Sequence, residues 1–471
     1  MNKIEQYLFY FLLFAIPFQT RKILWHQNWN FNEWQSVSLY ATDLLFIVLF
    51  LFWLGNSPKK YQVLSIGYYA NFFKSLIPNT KYLIQKPDFF LVLFLIVSVI
   101  SIKNSSSYIL SAYNVLKLIE FIAFYFYIKS YAVYKFGLVN SMIVLVGGGL
   151  FQAIIAILQF FKQSSLGLRY LGESVLSLDL TGIASFYNLY GEKIMRAYGT
   201  TPHPNILATY LFLAIFASYF VFIYTFRPKY YLHTHILIYG YGMKHWWVVA
   251  YPLLLFGLFF TFSRTIIFLW AAGFLIRAVL IGIKSQFREK FWRDPVLKTR
   301  LVLIIAVTVL TIAVFSVFYW SEAINRVKIS SEEEAVQLRI FYNKESLSSL
   351  NWFGVGSGNF VNWLMVKEPN LPRNLYQPVH NIYLLVYSET GIFGIFVFIL
   401  FLIFLIKDFI VSTKMEKLYH YSFLIMFGSF LFVGLFDHFL WTLQQGRLMF
   451  WLICACLTLF KDGDIMIKQQ S

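Results

Sequence analysis

Long apolar stretches follow one another along the chain and are separated by short polar segments. A helix needs about 20 apolar residues to cross a bilayer, so the shorter stretches must extend into their flanks. Twelve spans are predicted, at residues 5–19, 38–54, 89–102, 109–128, 138–161, 204–226, 247–263, 265–283, 301–320, 381–406, 421–441 and 446–460. Apolar and polar residues do not alternate as they do in barrel strands. The predicted fold class is therefore an all-α polytopic membrane protein.

One polar interruption, residues 321–379, is far longer than the others and separates the ninth and tenth spans. We treat residues 1–471 as a single membrane domain, with 321–379 as a loop subdomain at the membrane surface. Within this loop, residues 332–349 are predicted to form an amphipathic helix with Arg339 near its middle. The glycine-rich run 354–358 lacks the Lys-Ser/Thr of a phosphate-binding loop, and we expect a tight turn there that lets the loop fold over the helices.

Composition supports the membrane assignment. The 471 residues are 59% hydrophobic and 13% charged, whereas soluble domains are about 45–50% apolar and about 25% charged. The net charge of +17 points to basic cytoplasmic loops near anionic lipid, and to a basic pocket for an anionic substrate, rather than to nucleic acid. Cys454 and Cys456 both lie in the last span, so they give no sign of a disulfide.

The distribution of lysine and arginine predicts the topology. The connections 55–88, 284–300 and 407–420 are rich in both residues, which places them and the two termini in the cytoplasm. Seven polar residues then fall on the opposite, extracytoplasmic face: Arg196, His203, Arg264, Arg339, His380, Asp437 and His438. Arginines on that face oppose the usual charge bias, so this distribution indicates a functional pocket there.

Two arginine motifs are candidates for binding an anion. Arg196 opens the run Arg-Ala-Tyr-Gly-Thr-Thr-Pro-His-Pro-Asn, whose prolines mark the start of a span and which ends at Asn205. Arg264 lies between the spans 247–263 and 265–283, which we expect to be joined by a tight outer turn. Either arginine could grip a phosphate with its planar fork. The alternative for each is an interfacial arginine that reaches towards water.

Histidines are the candidates for proton chemistry. His380, followed by Asn381 at the mouth of the tenth span, could take a proton from a hydroxyl or could instead cap the helix. His203, between two prolines, is expected to fix its loop, and His438 is expected to be kept charged by Asp437. We further expect Asp437-His438 and the run 444–447 to form one polar outer hairpin that lines the same cavity.

Two other patterns have a structural interpretation. Lys117 and Glu120 lie three residues apart on one helical face and are predicted to form a compensating buried pair. The sequence has no Asp-x-Asp near a membrane mouth and no His/Cys cluster, so it predicts neither a metal site nor another cofactor.

Taken in order, these motifs resemble the O-antigen ligase and O-antigen polymerase family. The resemblance runs from about Asp43 to the end of the chain. It includes the run that starts at Arg196, the pair Ser263-Arg264, and Arg339 followed by Phe-Gly-Val-Gly-Ser-Gly-Asn-Phe. The sharpest match is to the ligase signature His-[Asn/Ser/Gln]-x9-Gly-x2-[Gly/Thr/Tyr], which is met by His380, Asn381, Gly391 and Gly394.

The resemblance implies a glycosyltransferase of the GT-C class in the cytoplasmic membrane. Such an enzyme moves a glycan from undecaprenyl diphosphate to an acceptor hydroxyl on the extracytoplasmic face, with inversion and without metal. By this likeness Arg196 and Arg264 would hold the diphosphate and His380 would activate the acceptor. The residues expected to bind substrate are Arg339, His203, Asn205, Asn381, Asp437 and His438.

The family likeness leaves the acceptor open. Ligases to lipid A core, polymerases of glycan repeat units and protein O-oligosaccharyltransferases share the pattern, so the acceptor could be lipid A core, a glycan or a protein. The signature favours a ligase, and the long loop also suits a polymerase. A transporter of lipid-linked glycans is the competing class, and it should show inverted repeats and charges at mid-membrane. Membrane lipids are expected partners, and nucleic acid is not.

Overall fold

The computed structural model describes residues 3–27, 31–56, 86–224, 239–327 and 334–460. Its helices are α1 Lys3–Ala15, α2 Ala41–Asn56, α3 Pro87–Ser101, α4 Tyr108–Tyr127, α5 Val133–Phe136, α6 Leu138–Lys162, α7 Pro204–Tyr224, α8 Tyr239–Phe260, α9 Arg264–Ile283, α10 Ser285–Arg293, α11 Pro295–Val327, α12 Glu334–Ser348, α13 Phe360–Lys367, α14 Ile382–Thr413, α15 Leu418–Val433, α16 Phe439–Thr442 and α17 Gln444–Leu457. Two antiparallel hairpins complete it, formed by strands β1 Arg21–His26, β2 Ser36–Tyr40, β3 Ser185–Tyr187 and β4 Lys193–Met195.

Every predicted span overlaps one of these helices. Among the described residues, seven helices are long and apolar enough to cross a membrane, and three further apolar helices are shorter. The α-helical, polytopic fold class is therefore confirmed. The number of twelve spans and the GT-C class stay predictions. Most of the basic connection 55–88 lies outside the described residues.

Helix α7 is the centre of the bundle. Its apolar stretch from Ile206 to Ile223 is entirely buried, and the helix packs most extensively against α6 and α8. Small residues make this close packing possible, as is common between membrane helices. A Cβ on Gly149 of α6 would lie 2.3 Å from Cβ of Ala214 in α7, and one on Gly257 of α8 would lie 2.7 Å from Cβ of Ala153 in α6.

The predicted break near Arg264 is present. Helix α8 ends at Phe260, and α9 begins at Arg264 after a short turn in which Phe262 has a positive φ of 45°. The apolar stretch therefore forms two helices, and Arg264 takes the first position of the second helix.

The long loop folds onto the end of the bundle where α7 and α14 begin. It contains α12 and α13 and forms a small core of its own, made of Tyr342, Phe360, Val361, Leu364, Tyr376, Val379 and Leu385. The predicted helix 332–349 is observed as α12, although its first residues lie outside the described part. Its amphipathic character was predicted wrongly, because Glu345 and Ser346 are buried while Ile340 and Leu347 are exposed. Hydrogen bonds hold the buried polar face of α12 in place. One of them joins Ser346 Oγ to Ser388 Oγ of α14 (2.6 Å).

Candidate active site

Asn205, in the first turn of α7, connects three parts of the chain that the sequence keeps far apart. Its Oδ1 accepts hydrogen bonds from Arg196 Nη2 (2.8 Å) and from Ser263 Oγ (3.0 Å). Its Nδ2 donates to Asp437 Oδ2 (3.1 Å), in the segment after α15. One amide therefore links the arginine motifs to the acidic group that stands beside the histidines.

Arginines collect around the turn between α8 and α9. Arg196 is buried, and its Nε donates to the carbonyl oxygen of Thr261 (2.7 Å). Arg264 lies three residues after Thr261 in the chain. Nε of Arg326, near the end of α11, points at the carbonyl oxygen of Phe262 (3.5 Å). Burial, and after it the positive charge of Arg326, lowers the pKa of Arg196 to about 9, and the charge of Arg264 adds to this effect.

Arg326 was not among the predicted site residues. A single basic residue near the end of an apolar span usually marks the membrane surface. Arg326 falls in the loop 321–379 that we expected at that surface, but the sequence gave it no binding role of its own. Only the folded chain brings it beside Arg196.

Three histidines lie on the other side of Asn205. The ring centres of His380 and His438 are 4.9 Å apart. Burial lowers the pKa of His380, and it lowers those of His203 and His438 to about 3. All three are therefore neutral near pH 7. The expectation that Asp437 keeps His438 charged was wrong, because the loss of hydration outweighs the attraction of the carboxylate.

The hydrogen bonds of the three imidazoles differ. His203 Nδ1 accepts from the backbone N–H of Asn205 (3.2 Å), so in the neutral ring the proton is on Nε2 and that nitrogen cannot accept another. His438 Nδ1 is engaged with Thr442 Oγ1 (2.7 Å). Among the described residues, His380 Nδ1 is buried without a hydrogen-bond partner. His380 is thus the ring with the least committed nitrogen.

Asp437 carries the negative charge of this cluster. Burial alone would raise the pKa of its carboxyl group, but the electrostatic interaction with the imidazoles of His438, His380 and His203 and the hydrogen bond from Asn205 lower it. The carboxylate can therefore stabilise positive charge that develops on a neighbouring imidazole.

The same groups could hold a metal ion. His380, Asp437 and His438 each offer one ligand atom, and these atoms lie within 4.8 Å of one another. Neutral imidazoles and a carboxylate are suitable ligands for several divalent ions. The metal-free site predicted from the sequence therefore remains a prediction.

Segments distant in sequence form the walls around the histidines. Trp34, from the connection between β1 and β2, places its ring edge-on to His438 at 4.9 Å. Tyr342 of α12 lies 5.7 Å from the His380 ring. Arg339, one turn earlier on α12, donates from Nε to the carbonyl oxygen of Phe436 (3.2 Å). The sequence gave no signal for Trp34, because an aromatic residue in a short outer loop is ordinary.

Asn381 has a clear architectural role. Its side-chain oxygen accepts from the backbone N–H groups of Tyr383 (2.9 Å) and Leu384 (3.1 Å), so it is the N-cap of α14. A cap of this type fixes where a helix begins. It therefore also fixes where His380, the residue before it, is held.

The two glycines of the signature shape α14 further along. Gly391 interrupts the helix with φ 74° and ψ −170°, a conformation that is essentially restricted to glycine. A Cβ at Gly391 would lie 2.3 Å from the carbonyl oxygen of Trp352, and one at Gly394 would collide with the Thr390 side chain. The break lets another stretch of backbone approach the helix.

Residues 351–356 fill this break. The carbonyl oxygens of Ser388 and Glu389 accept from Val355 N (2.8 Å) and Gly356 N (3.1 Å). The N–H groups beyond the break, at Ile392 and Phe393, donate to the carbonyl oxygens of Asn351 and Trp352. The predicted tight turn is confirmed: Gly354, Gly356 and Gly358 all have positive φ. It replaces the missing helical hydrogen bonds and fastens the loop to α14.

The expected hairpin of Asp437-His438 and 444–447 is not one unit. Asp437 and His438 join the histidine cluster, whereas the later residues point into the bundle. Gln444 donates to Asp43 Oδ1 (2.5 Å), and Arg447 Nη2 donates to Asn114 Oδ1 (3.0 Å). Arg447 also lines an internal cavity to which none of the nine predicted site residues contributes. The short helix α16 separates the two groups.

The predicted pair of Lys117 and Glu120 is present, with Nζ and Oε2 3.0 Å apart. The structure enlarges it, because Lys117 Nζ also lies 2.5 Å from Asp43 Oδ2 on α2. This ion pair ties α2 to α4 and takes no part in the arginine and histidine cluster.

No curated protein is significantly similar to the chain. Residues 249–399 match the model of the family described as O-antigen ligase. The matched segment contains Arg264, Arg339, His380 and the signature glycines, and the residues that complete the cluster lie on both sides of it. Residues 249–399 therefore carry the domain of the family described as O-antigen ligase.

Proposed function

We propose that this protein is a glycosyltransferase that moves a glycan from undecaprenyl diphosphate to an acceptor hydroxyl, with inversion at the transferred carbon. The observation that carries the proposal is the meeting of arginines and neutral histidines on either side of Asn205. Guanidinium groups suit the diphosphate of the donor. Neutral imidazoles suit the proton of an acceptor hydroxyl.

The arginines bind the donor and stabilise its departure. As the bond between the sugar and the diphosphate breaks, negative charge grows on the leaving oxygen. Fixed cations in a buried site stabilise such charge without having to reorient. Arg196 is held in place by Thr261 and Asn205, and Arg264 is fixed at the first position of α9. The Arg196 guanidinium is thus oriented before the donor binds, and the start of α9 sets the backbone position of Arg264.

His380 activates the acceptor. The acceptor hydroxyl gives its proton to a ring nitrogen of His380, and its oxygen forms the new bond to the anomeric carbon. The bond to the diphosphate breaks, and its electron pair leaves with the diphosphate. Asp437 stabilises the imidazolium that forms.

Inversion requires the acceptor and the leaving group to lie on opposite faces of the transferred carbon. In the proposed mechanism the arginines hold the leaving diphosphate and His380 the acceptor, and Asn205 lies between the two groups.

Reconstitution provides the direct test. The full-length protein in lipid nanodiscs would receive an undecaprenyl-diphosphate-linked glycan and a labelled acceptor, either lipid A core, a glycan or a peptide. A new glycosidic product is expected with one acceptor. Movement of the lipid-linked glycan across a vesicle membrane without any covalent product would instead identify a transporter and refute the proposal.

The acceptor class can be identified in cells. We propose ligase activity, on the extracytoplasmic face of the cytoplasmic membrane, because the full signature from His380 to Gly394 is present. A deletion strain should then lack glycan on its lipid A core. Lipid A core capped with single repeats would identify a polymerase, and loss of glycan from proteins would identify a protein O-oligosaccharyltransferase.

A further inference from the structure

We propose that Arg326 is a third donor-binding arginine, which grips the diphosphate of the lipid-linked donor together with Arg196 and Arg264. This inference rests on the proposed function and deepens it, since it concerns how the same site distinguishes a diphosphate from a monophosphate. Four features of the structure support it: a kink in α11, a clamp on the end of that helix, a shared turn and the local electrostatics.

The kink directs the end of α11. Helix α11 is interrupted at Tyr319, which has φ −126° and ψ 29°. The Tyr319 ring is wedged among Phe160, Phe260 and Phe315, with ring centres 4.9–5.5 Å apart. The last turns of α11 therefore take a direction fixed by aromatic packing, and they carry Arg326 towards the turn between α8 and α9.

A clamp holds the redirected segment. Ser321 Oγ accepts from the backbone N–H of Leu189 (3.2 Å), and Asn325 Nδ2 donates to the carbonyl oxygen of Tyr187 (2.5 Å). Both partners belong to the β3–β4 hairpin, and Arg196 follows directly after β4. The backbone N–H of Arg196 donates to the carbonyl oxygen of Ala184, just before β3 (3.1 Å). One hairpin therefore positions both arginines.

The guanidinium groups of Arg196 and Arg326 meet at one turn. Arg196 Nε donates to Thr261 O, and Arg326 Nε points at Phe262 O. Arg264 begins the helix that follows this turn. The Arg326 guanidinium also lies 5.9 Å from the centre of the Phe186 ring, on the β3–β4 hairpin. The side chains of Arg196 and Arg326 therefore approach the same turn, and the backbone of Arg264 follows it.

The electrostatics favour an anion at this turn. After burial, the charge of Arg326 is the strongest influence that lowers the pKa of Arg196. Packing like charges beside a buried guanidinium is unfavourable, and an anion that binds between them relieves this repulsion. A diphosphate bears charge on both of its phosphates and can engage several arginines at once. A monophosphate has fewer oxygens to share, so the third arginine should favour the diphosphate.

The test compares variants of the full-length protein in nanodiscs, with undecaprenyl diphosphate and undecaprenyl monophosphate as binding probes. Arg326→Gln should bind the diphosphate about 10- to 100-fold more weakly, the range for losing one charge-assisted hydrogen bond. Its binding of the monophosphate should change far less. Arg326→Lys should lie between wild type and Arg326→Gln, because it keeps the charge and loses the fork.

Arg169→Gln is the matched control, since Arg169 is exposed in the outer loop before β3. It should bind both lipids as wild type does. Diphosphate binding by Arg326→Gln at the wild-type level, while Arg196→Gln loses it, would overturn the role of Arg326 and leave the proposed function standing. Equal loss of both lipids together with a lower melting temperature would also overturn it, since that result marks a structural role. Failure of the wild-type protein to bind undecaprenyl diphosphate would refute the proposed function itself.

Discussion

Replacing His380 with alanine should lower turnover while leaving donor binding intact. The side chain lies at the mouth of α14, 4.9 Å from His438 between ring centres, and its Nδ1 is buried without a hydrogen-bond partner among the described residues. In the proposed mechanism His380 acts on the acceptor and makes no contact with the diphosphate. The variant therefore removes the group that receives the proton and leaves the arginines around Asn205 in place.

The size of the effect follows from this geometry. General-base assistance contributes about 10²–10⁴-fold, equivalent to about 2.7–5.4 kcal/mol of barrier. His438 remains in the variant, and its ring is also neutral. It lies close enough to the position of His380 to accept some of the protons in its place. We therefore expect a loss in the lower half of the range, about 10²–10³-fold. Removing both histidines should then cost more than removing His380 alone.

The assay is steady-state product formation in nanodiscs, with donor affinity measured separately. His203→Ala and His438→Ala are the comparators, and each should lose less turnover than His380→Ala. Near-normal turnover of His380→Ala, with either comparator inactive, would show that the base has been assigned wrongly.

The pH profile gives a second readout of the same prediction. Burial lowers the pKa of His380 below the ordinary value of 6.5, so the ring stays neutral and basic at pH values where a free histidine is already half protonated. The acidic limb of kcat/KM should lie below pH 6.5 in the wild type. It should disappear or move in His380→Ala. An acidic limb above pH 6.5 would contradict the role of burial.

Four further predictions concern topology, the donor site, metal and the break in α14. Cysteines placed at the exposed positions Ser285 and Asn370 should react from opposite sides of the membrane, and labelling of both from one side would refute the topology. Arg264→Lys should lose most activity because an ammonium cannot make the paired fork contact, and wild-type turnover would exclude that role. Activity should survive EDTA, and inhibition that magnesium reverses would identify a metal enzyme. Gly391→Ala should lower the melting temperature through about 1–3 kcal/mol of backbone strain plus the clash with the 351–356 segment, whereas Gly428→Ala, with no atom within 4 Å of its added Cβ, should not.

Much of the helical framework was predictable from the sequence. Apolar length identifies a membrane helix directly, so each predicted span has its counterpart in the structure. The turn before Arg264 was predictable as well, because a charged residue in the middle of an over-long apolar run leaves few alternatives. The two glycines of the signature also lie in α14, within the predicted tenth span. The sequence did not predict that the helix breaks at Gly391 and that residues 351–356 fill the break.

The electrostatics of the site were less predictable. The charge of His438 was predicted from its neighbour Asp437, but burial decides it, and burial depends on the whole bundle. A kink in α11 brings Arg326 to the site, and the β1–β2 hairpin brings Trp34 there. Neither the kink nor the hairpin has a recognisable pattern in the sequence. Gln444 follows His438 closely in the chain, yet it joins the ion pair inside the bundle, because the intervening short helix turns the chain inward.

The β1–β2 hairpin implies an order of assembly for the site. Asn32 donates to the carbonyl oxygen of Tyr376, and Gln35 is hydrogen-bonded to Asn362, so these partners lie 344 and 327 residues apart in the chain. At about 5–20 residues per second, a ribosome needs about 16–70 s to make that length. The hairpin is thus synthesised well before the residues that it contacts. The wall of the histidine cluster that contains Trp34 therefore closes only after the chain has been made as far as Tyr376.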